Sequence, residues 1–114
     1  MLLSGMFNRN PFAAPAGAID HDAMVDAVAN GSHVIVDVRE VPEFRSGHIK
    51  GAINVPLSAF DPSRIPDGKP VIVYCASGGR SGMAMNALKA SGRADVVNYR
   101  PGVGGWRMQG CALV

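Results

Sequence analysis

The stretch VIVYCASGGRSGMAMNALKASG, residues 71–92, decides the fold. Its first four residues, Val71 to Tyr74, are apolar without a break, as in a strand buried on both faces of a parallel sheet. From Ser81 to Ser91, Met83, Ala84, Ala87 and Leu88 recur at helical spacing, and Gly92 is the stop. A strand that turns directly into a helix is the repeating unit of an α/β layer. Working outward, VIVDV (34–38), AINV (52–55) and VVNY (96–99) read as further short buried strands, and Ala18-Ile19 as a brief first one. Asp20 or Asp22 can cap a helix running to about Asn30, with Met24, Val25 and Val28 on one face and Gly31 as its end. Helical segments are also predicted over about Pro42–Ser46, over Ser58–Ile65 and around Trp106, the last after a flexible loop of Gly102, Gly104 and Gly105. Strand alternating with helix predicts an α/β fold with a compact, mostly parallel sheet. Residues 1–16, with Pro11 and Pro15 and no periodicity, read as an irregular arm. Residues 17–114 read as the domain.

Composition narrows the class. The chain has 114 residues, 47% of them hydrophobic and 18% charged, which suits one globular domain with a real core. The formal net charge of +2 is too small to argue for nucleic acid. Its distribution is uneven: residues 1–57 hold four Lys/Arg against six Asp/Glu, and residues 58–114 hold seven against three. A site in the second half would favour a small anion. No run approaches the length of a membrane span. The apolar opening MLLSGMF is short and has no positive charge ahead of it, so it makes a poor signal peptide. The two cysteines, Cys75 and Cys111, form no CxxC and no zinc spacing with histidine, so no metal and no cofactor are expected. They read as reduced thiols in a reducing compartment, which predicts a cytoplasmic protein.

Chemistry concentrates at Cys75. It stands at the carboxyl end of a predicted strand, where open α/β sheets form their sites. Ala76, Ser77, Gly78 and Gly79 link it to Arg80, Ser81 and the helix. The two glycines permit positive φ and leave the backbone bare, so successive N–H groups can turn inward as a nest for an anion. The start of the helix adds partial positive charge, and Arg80 a fixed one. Such surroundings lower a cysteine pKa from about 8.5 to roughly 3.5–7.5 and favour the nucleophilic thiolate. A buried structural cysteine is the ordinary alternative, but it leaves the glycines, the arginine and the helix start without a purpose.

Cys75-Ala-Ser-Gly-Gly-Arg80-Ser81 resembles the active-site loop of the rhodanese family in its C-x-x-G-x-R-S form. Two further segments share the likeness. Asp37-Val-Arg39-Glu40, continuing through Glu43-Phe44 and Gly47-His48-Ile49-Lys-Gly51-Ala52-Ile-Asn54-Val-Pro56, is similar to the family's first signature. Gly104-Gly105-Trp106 is similar to its closing motif. The likeness covers about residues 17–114. It implies a five-stranded, mostly parallel sheet with helices on both faces. It also implies a double displacement, in which a thiolate takes the outer sulfur of an anionic donor such as thiosulfate, holds it as a persulfide, and yields it to a thiophilic acceptor, cyanide or a thiol, a protein thiol included. On that resemblance Cys75 is the nucleophile. The backbone of residues 76–80 cradles the persulfide and the anion, with Ser81 beside it, and Arg80 binds the donor's charged end or steadies the loop.

Other residues invite chemistry and read better as structure. Asp37, Arg39, Glu43 and His48 could be assembled into a catalytic base, but sulfur transfer to a thiolate needs none, and a polar cluster joining strand end, helix and loop is the simpler reading. His48 is expected to be hydrogen-bonded, His21 and His33 to lie at the surface, and Trp106 to anchor packing. Cys111 reads as a bystander in a tail without an activating environment, and the six methionines as filler. Two rival functions remain. Cysteine phosphatases and arsenate reductases also carry a thiolate in a loop closed by arginine, but their loop is one residue longer than the four residues between Cys75 and Arg80, and the shorter ring suits one sulfur atom. A non-catalytic rhodanese-like binding module usually lacks the loop cysteine, which is present here.

Overall fold

The computed structural model describes residues 14–114. The expected irregular arm therefore lies almost wholly outside the described residues. Helix α1 spans His21–Asn30, β1 Val34–Asp37, α2 Val41–Arg45 and β2 Ile53–Asn54. Two 3-10 turns follow at Leu57–Ala59 and Pro62–Arg64, then β3 Val71–Tyr74, α3 Gly79–Ala90, β4 Val96–Asn98 and α4 Gly102–Met108. All strand pairs are parallel and the order is β2-β1-β3-β4, so β1 and β3 are central.

Among the described residues the sheet has four strands rather than the five expected. Ala18 makes a single parallel bridge to Asn98 where a fifth strand would lie. The reason is local. The Ala18 N–H closes a turn onto Pro15 O at 2.9 Å, and Asp20 already caps α1, its carboxylate accepting from Ala23 N at 2.8 Å. Too little extended chain is left for a ladder.

Strand alternation builds a core on each face. Val36, Val38, Val71, Val73 and Cys75 pack with Ala84 and Leu88 of α3. Ile35, Ile72 and Tyr74 point the other way, against Met24 and Ala27 of α1 and Trp106 of α4. Helices thus cover both faces, as expected, but their buried stripes differ from prediction. Val25 and Met83 are exposed, and the buried positions of α3 are Ser81, Ala84 and Leu88. Ser58–Ile65 forms two 3-10 turns instead of a helix, because Pro62 supplies no backbone N–H to continue one.

Gly102, Gly104 and Gly105 lie within α4 and are not a flexible loop. Gly102 has φ 63°, and a Cβ there would meet Ala76 O at 2.5 Å. Absence of side chains lets α4 press against the Cys75 loop. Among the described residues no helix is long and apolar enough to cross a membrane.

Candidate active site

Cys75 leaves β3 at its carboxyl end and is 1% exposed. Its Sγ accepts a hydrogen bond from Gly78 N at 3.1 Å and one from Ser81 Oγ at 3.4 Å. Burial alone would push the thiol up. Against it act the Ser81 hydroxyl and the backbone N–H groups of Ser81, Ser77 and Gly78, and the balance lies below the ordinary cysteine value. Donors that stabilise the thiolate more than burial penalises it leave a nucleophile in a nearly dry setting.

The loop's shape follows from one glycine and three restraints. Gly78 has φ 99°, and a Cβ there would come within 2.7 Å of Arg100 O. Gly79, by contrast, is the first residue of α3 and has open space around it. Gly78 O accepts from Gly82 N at 3.0 Å and Asn98 Nδ2 at 3.4 Å and lies 3.2 Å from Ser81 Oγ, whose one proton it shares with Cys75 Sγ; these contacts fix the Gly78–Gly79 peptide plane at the entry to α3. From the other side, α4 gives its first free N–H groups to the loop: Val103 N to Cys75 O at 2.9 Å and Gly104 N to Ala76 O at 3.2 Å. Asn98 and these α4 amides were not foreseen. The only signal was Asn98 itself, a polar residue closing an apolar run; what it touches could not be read locally.

The other predicted site residues fall as follows. Ser77 and Gly79 are exposed, Ala76 is half-buried, and Arg80 and Ser81 lie in the first turn of α3. The Arg80 guanidinium forks onto Glu43, with Nη1 on Oε1 at 2.7 Å and Nη2 on Oε2 at 3.1 Å. Glu43 also accepts the Glu40 N–H at 3.0 Å. The Arg80 fork, with help from that N–H, holds the Glu43 carboxyl down at about 2.

The cluster of Asp37, Arg39, Glu43 and His48 separates into parts. Asp37 and Arg39 form a buried pair, Nη2 to Oδ2 at 2.7 Å, and Arg39 Nη2 also reaches Gly47 O at 2.6 Å. His48 stacks on Phe44 with ring centroids 3.8 Å apart and meets Phe44 O at 2.9 Å. None of these three touches Cys75 Sγ, while Glu43 reaches its loop through Arg80.

Two histidine expectations need correction, since neither lies fully at the surface. His33 is half-buried beside Ser32. His21 is half-buried among aromatics, with Nδ1 2.8 Å from Tyr99 Oη and its ring edge-on to Trp106. Cys111 is no isolated tail residue either: its Sγ lies 3.8 Å from His21 Nε2. Trp106 is buried and donates to Ala112 O at 3.0 Å, as a packing anchor should.

Comparison with known proteins agrees with the fold. A family model described as a rhodanese-like domain matches residues 20–109. A sulfurtransferase of Allochromatium vinosum is 32% identical over 99 residues, covering 84% of this chain and 92% of its own. An uncharacterized protein of Synechocystis is 37% identical over 83 residues, 71% of this chain and 46% of its own length. The chain spans about half the length of the first curated relatives it matches. The crystal structure of a rhodanese-related protein from Thermoplasma volcanium superposes with a TM-score of 0.76 at 27% identity, covering 85% of this chain and 96% of that one.

Proposed function

The chain belongs to the rhodanese-like domain family, and we propose that it acts as a sulfurtransferase of the thiosulfate type, carrying sulfur as a persulfide on Cys75. One observation carries this reading: a nearly dry cysteine sulfur whose hydrogen-bond donors hold its thiol below the ordinary value. In the first step the Cys75 thiolate attacks the outer sulfur of thiosulfate. The Sγ–S bond forms, the donor's S–S bond breaks, and sulfite leaves with the electron pair. The loop amides and Ser81 Oγ face the new anionic sulfur. In the second step cyanide or a thiolate attacks the terminal sulfur, and Cys75 departs as a thiolate. The donors that favoured attack now favour departure, because a thiol of lower pKa is the better leaving group.

In this reading Arg80 steadies the loop, since Glu43 occupies its fork. Residues 17–114 form the working domain, and the thiol works in the reducing cytoplasm. Intact mass measurement after thiosulfate treatment should show one added sulfur, removable by cyanide or dithiothreitol. Cys75→Ser should not acquire it, and Cys111→Ser should. An unmodified wild-type protein, or one that hydrolyses aryl phosphates faster than it consumes thiosulfate, refutes the assignment.

A further inference from the structure

With Arg80 committed to Glu43, a different cation, Arg100, lines a groove that shares Ser77 with the loop. This surface groove is lined by Ser77, Arg100 and Pro101 and by Pro15, Ala18 and Ile19. Arg100 is exposed, and among the described residues it makes no ion pair. Its backbone is pinned against Gly78: only a missing side chain allows Arg100 O to sit where a Gly78 Cβ would find it at 2.7 Å. Gly78 donates to Cys75 Sγ, and Ser77 contributes both to the groove and to the amides around the sulfur. The groove therefore abuts the sulfur-holding loop. Asp20, the carboxylate on its rim, is engaged in capping α1, where it accepts from Ala23 N.

Resting on the sulfurtransferase reading, we infer that this groove is the acceptor subsite and that Arg100 selects its occupant: a low-molecular-weight thiol carrying a carboxylate. The apolar wall suits a short hydrocarbon body, and Arg100 suits an anion at its far end, because a guanidinium pairs with a carboxylate through two parallel N–H bonds. Inorganic thiosulfate has no such body, so the groove serves the second half-reaction. There the acceptor thiolate attacks the terminal sulfur of the Cys75 persulfide. A new S–S bond forms on the acceptor, the bond to Sγ breaks, and Cys75 takes the electron pair as a thiolate. Arg100 touches the acceptor's carboxylate and not the reacting atoms, which makes it a specificity residue.

The test loads Cys75 from thiosulfate, removes excess donor, and follows discharge by 3-mercaptopropionate, 2-mercaptoethanol and cysteamine, each rate corrected for its thiolate fraction. Wild type should prefer the anionic thiol over the neutral one, and the neutral over the cationic. Arg100→Gln should cut the anionic-to-neutral ratio by about threefold to fivefold, the scale of one solvent-exposed charge pair. Arg100→Glu should invert the order, and Arg100→Lys should keep only part of the preference, because an ammonium retains the charge without the two-pronged fork. A ratio unchanged in both Arg100→Gln and Arg100→Glu overturns the subsite, as does a ratio that collapses in Arg80→Gln and not in Arg100→Gln. Loading separates the two levels. If Cys75 never gains sulfur, the sulfurtransferase reading falls and takes the subsite with it; if it gains sulfur and discharges without regard to Arg100, only the subsite falls.

Discussion

Cys75 and Cys111 show how differently one fold can treat two thiols. Cys75 is 1% exposed, and its sulfur faces the Gly78 N–H at 3.1 Å and the Ser81 hydroxyl at 3.4 Å. Cys111, just past α4, is half-buried, and among the described residues its side-chain partner is the His21 imidazole at 3.8 Å. The imidazole is itself tied to Tyr99. The first environment is made mostly of backbone, whose N–H groups cannot rotate away once the strand, the helix and Gly78 are in place. The second is made of side chains that were recruited for packing. A thiolate stabilised by preset dipoles needs no reorganisation when charge appears on it, and that separates a setting suited to a thiolate from one that merely packs a cysteine.

Four measurements can break or sharpen this contrast. The largest effect belongs to the glycines that shape each corner. Gly78 and Gly110 both have positive φ, 99° and 82°, but a Cβ on Gly78 meets Arg100 O at 2.7 Å and one on Gly110 meets nothing. Gly78→Ala should cost at least about 2 kcal/mol in urea unfolding and abolish most sulfur loading, since strain and a backbone collision add. Gly110→Ala should cost about 1 kcal/mol from φ alone and load normally. Equal losses would mean that the Cys75 loop is not specially constrained.

Ser81→Ala comes next. It deletes the hydroxyl donor on Cys75 Sγ and should slow sulfur loading at neutral pH by about threefold to tenfold, the scale of one net hydrogen bond. In wild type, alkylation of Cys75 should persist below the pH at which an ordinary thiol falls silent, because its pKa is lowered. In Ser81→Ala that limb should move up in pH.

A smaller effect is expected at the Cys111 corner. His21→Ala removes the partner of Tyr99 Oη and the edge contact with Trp106, and should cost about 1 kcal/mol of stability. Sulfur loading on Cys75 should remain, which an assay on the purified variant would check. Loss of loading in a folded His21→Ala protein would show that the two corners are coupled through α4.

The smallest effect concerns the ion pair between Arg80 and Glu43. Folding lowers the Glu43 pKa from 4.5 to about 2, with Arg80 as the main cause. A depressed carboxyl contributes stability at pH above 4.5 and loses it as pH falls toward 2. Both partners are more than a third exposed, so solvent screening holds the contribution below about 1 kcal/mol. Glu43→Gln should flatten the acid limb of stability between pH 4.5 and 2 by that amount. An acid limb of unchanged slope would show that the fork contributes nothing to folding.

Much of this was legible in local sequence. VIVY, VIVD and VVN became strands because unbroken β-branched runs suit a sheet covered on both faces. Asp20 and Gly31 bounded α1 as cap and stop. Other features were not legible because they depend on neighbours distant in sequence. Met83 and Ala84 both fit an apolar helical face, and only packing on the sheet decides between them: Ala84 joins Ser81 and Leu88 on the buried stripe, while Met83, about 140° round the helix from Leu88, is 64% exposed. Gly102 and Gly105 look like punctuation, but they lie in a helix because Gly102 faces the Ala76 backbone and Gly105 faces Pro101. His21 looked like a surface residue because nothing nearby in sequence announces Tyr99, 78 positions away.

By itself, then, the sequence determined the α/β alternation, the position of Cys75 at a strand end, and the glycine that bends the loop after it. Those are properties of short segments, set by side-chain periodicity and by the φ values each residue tolerates. Tertiary structure decided where Arg80 spends its charge, what holds the Gly78 carbonyl, and which cation lines the groove beside the loop. Each of these is a contact between segments tens of residues apart: Arg80 with Glu43, Gly78 with Asn98, and Arg100 with Gly78. Charge and hydrogen-bond donors are short-range in effect, so their chemistry exists only once folding brings such segments within a few ångströms of one another.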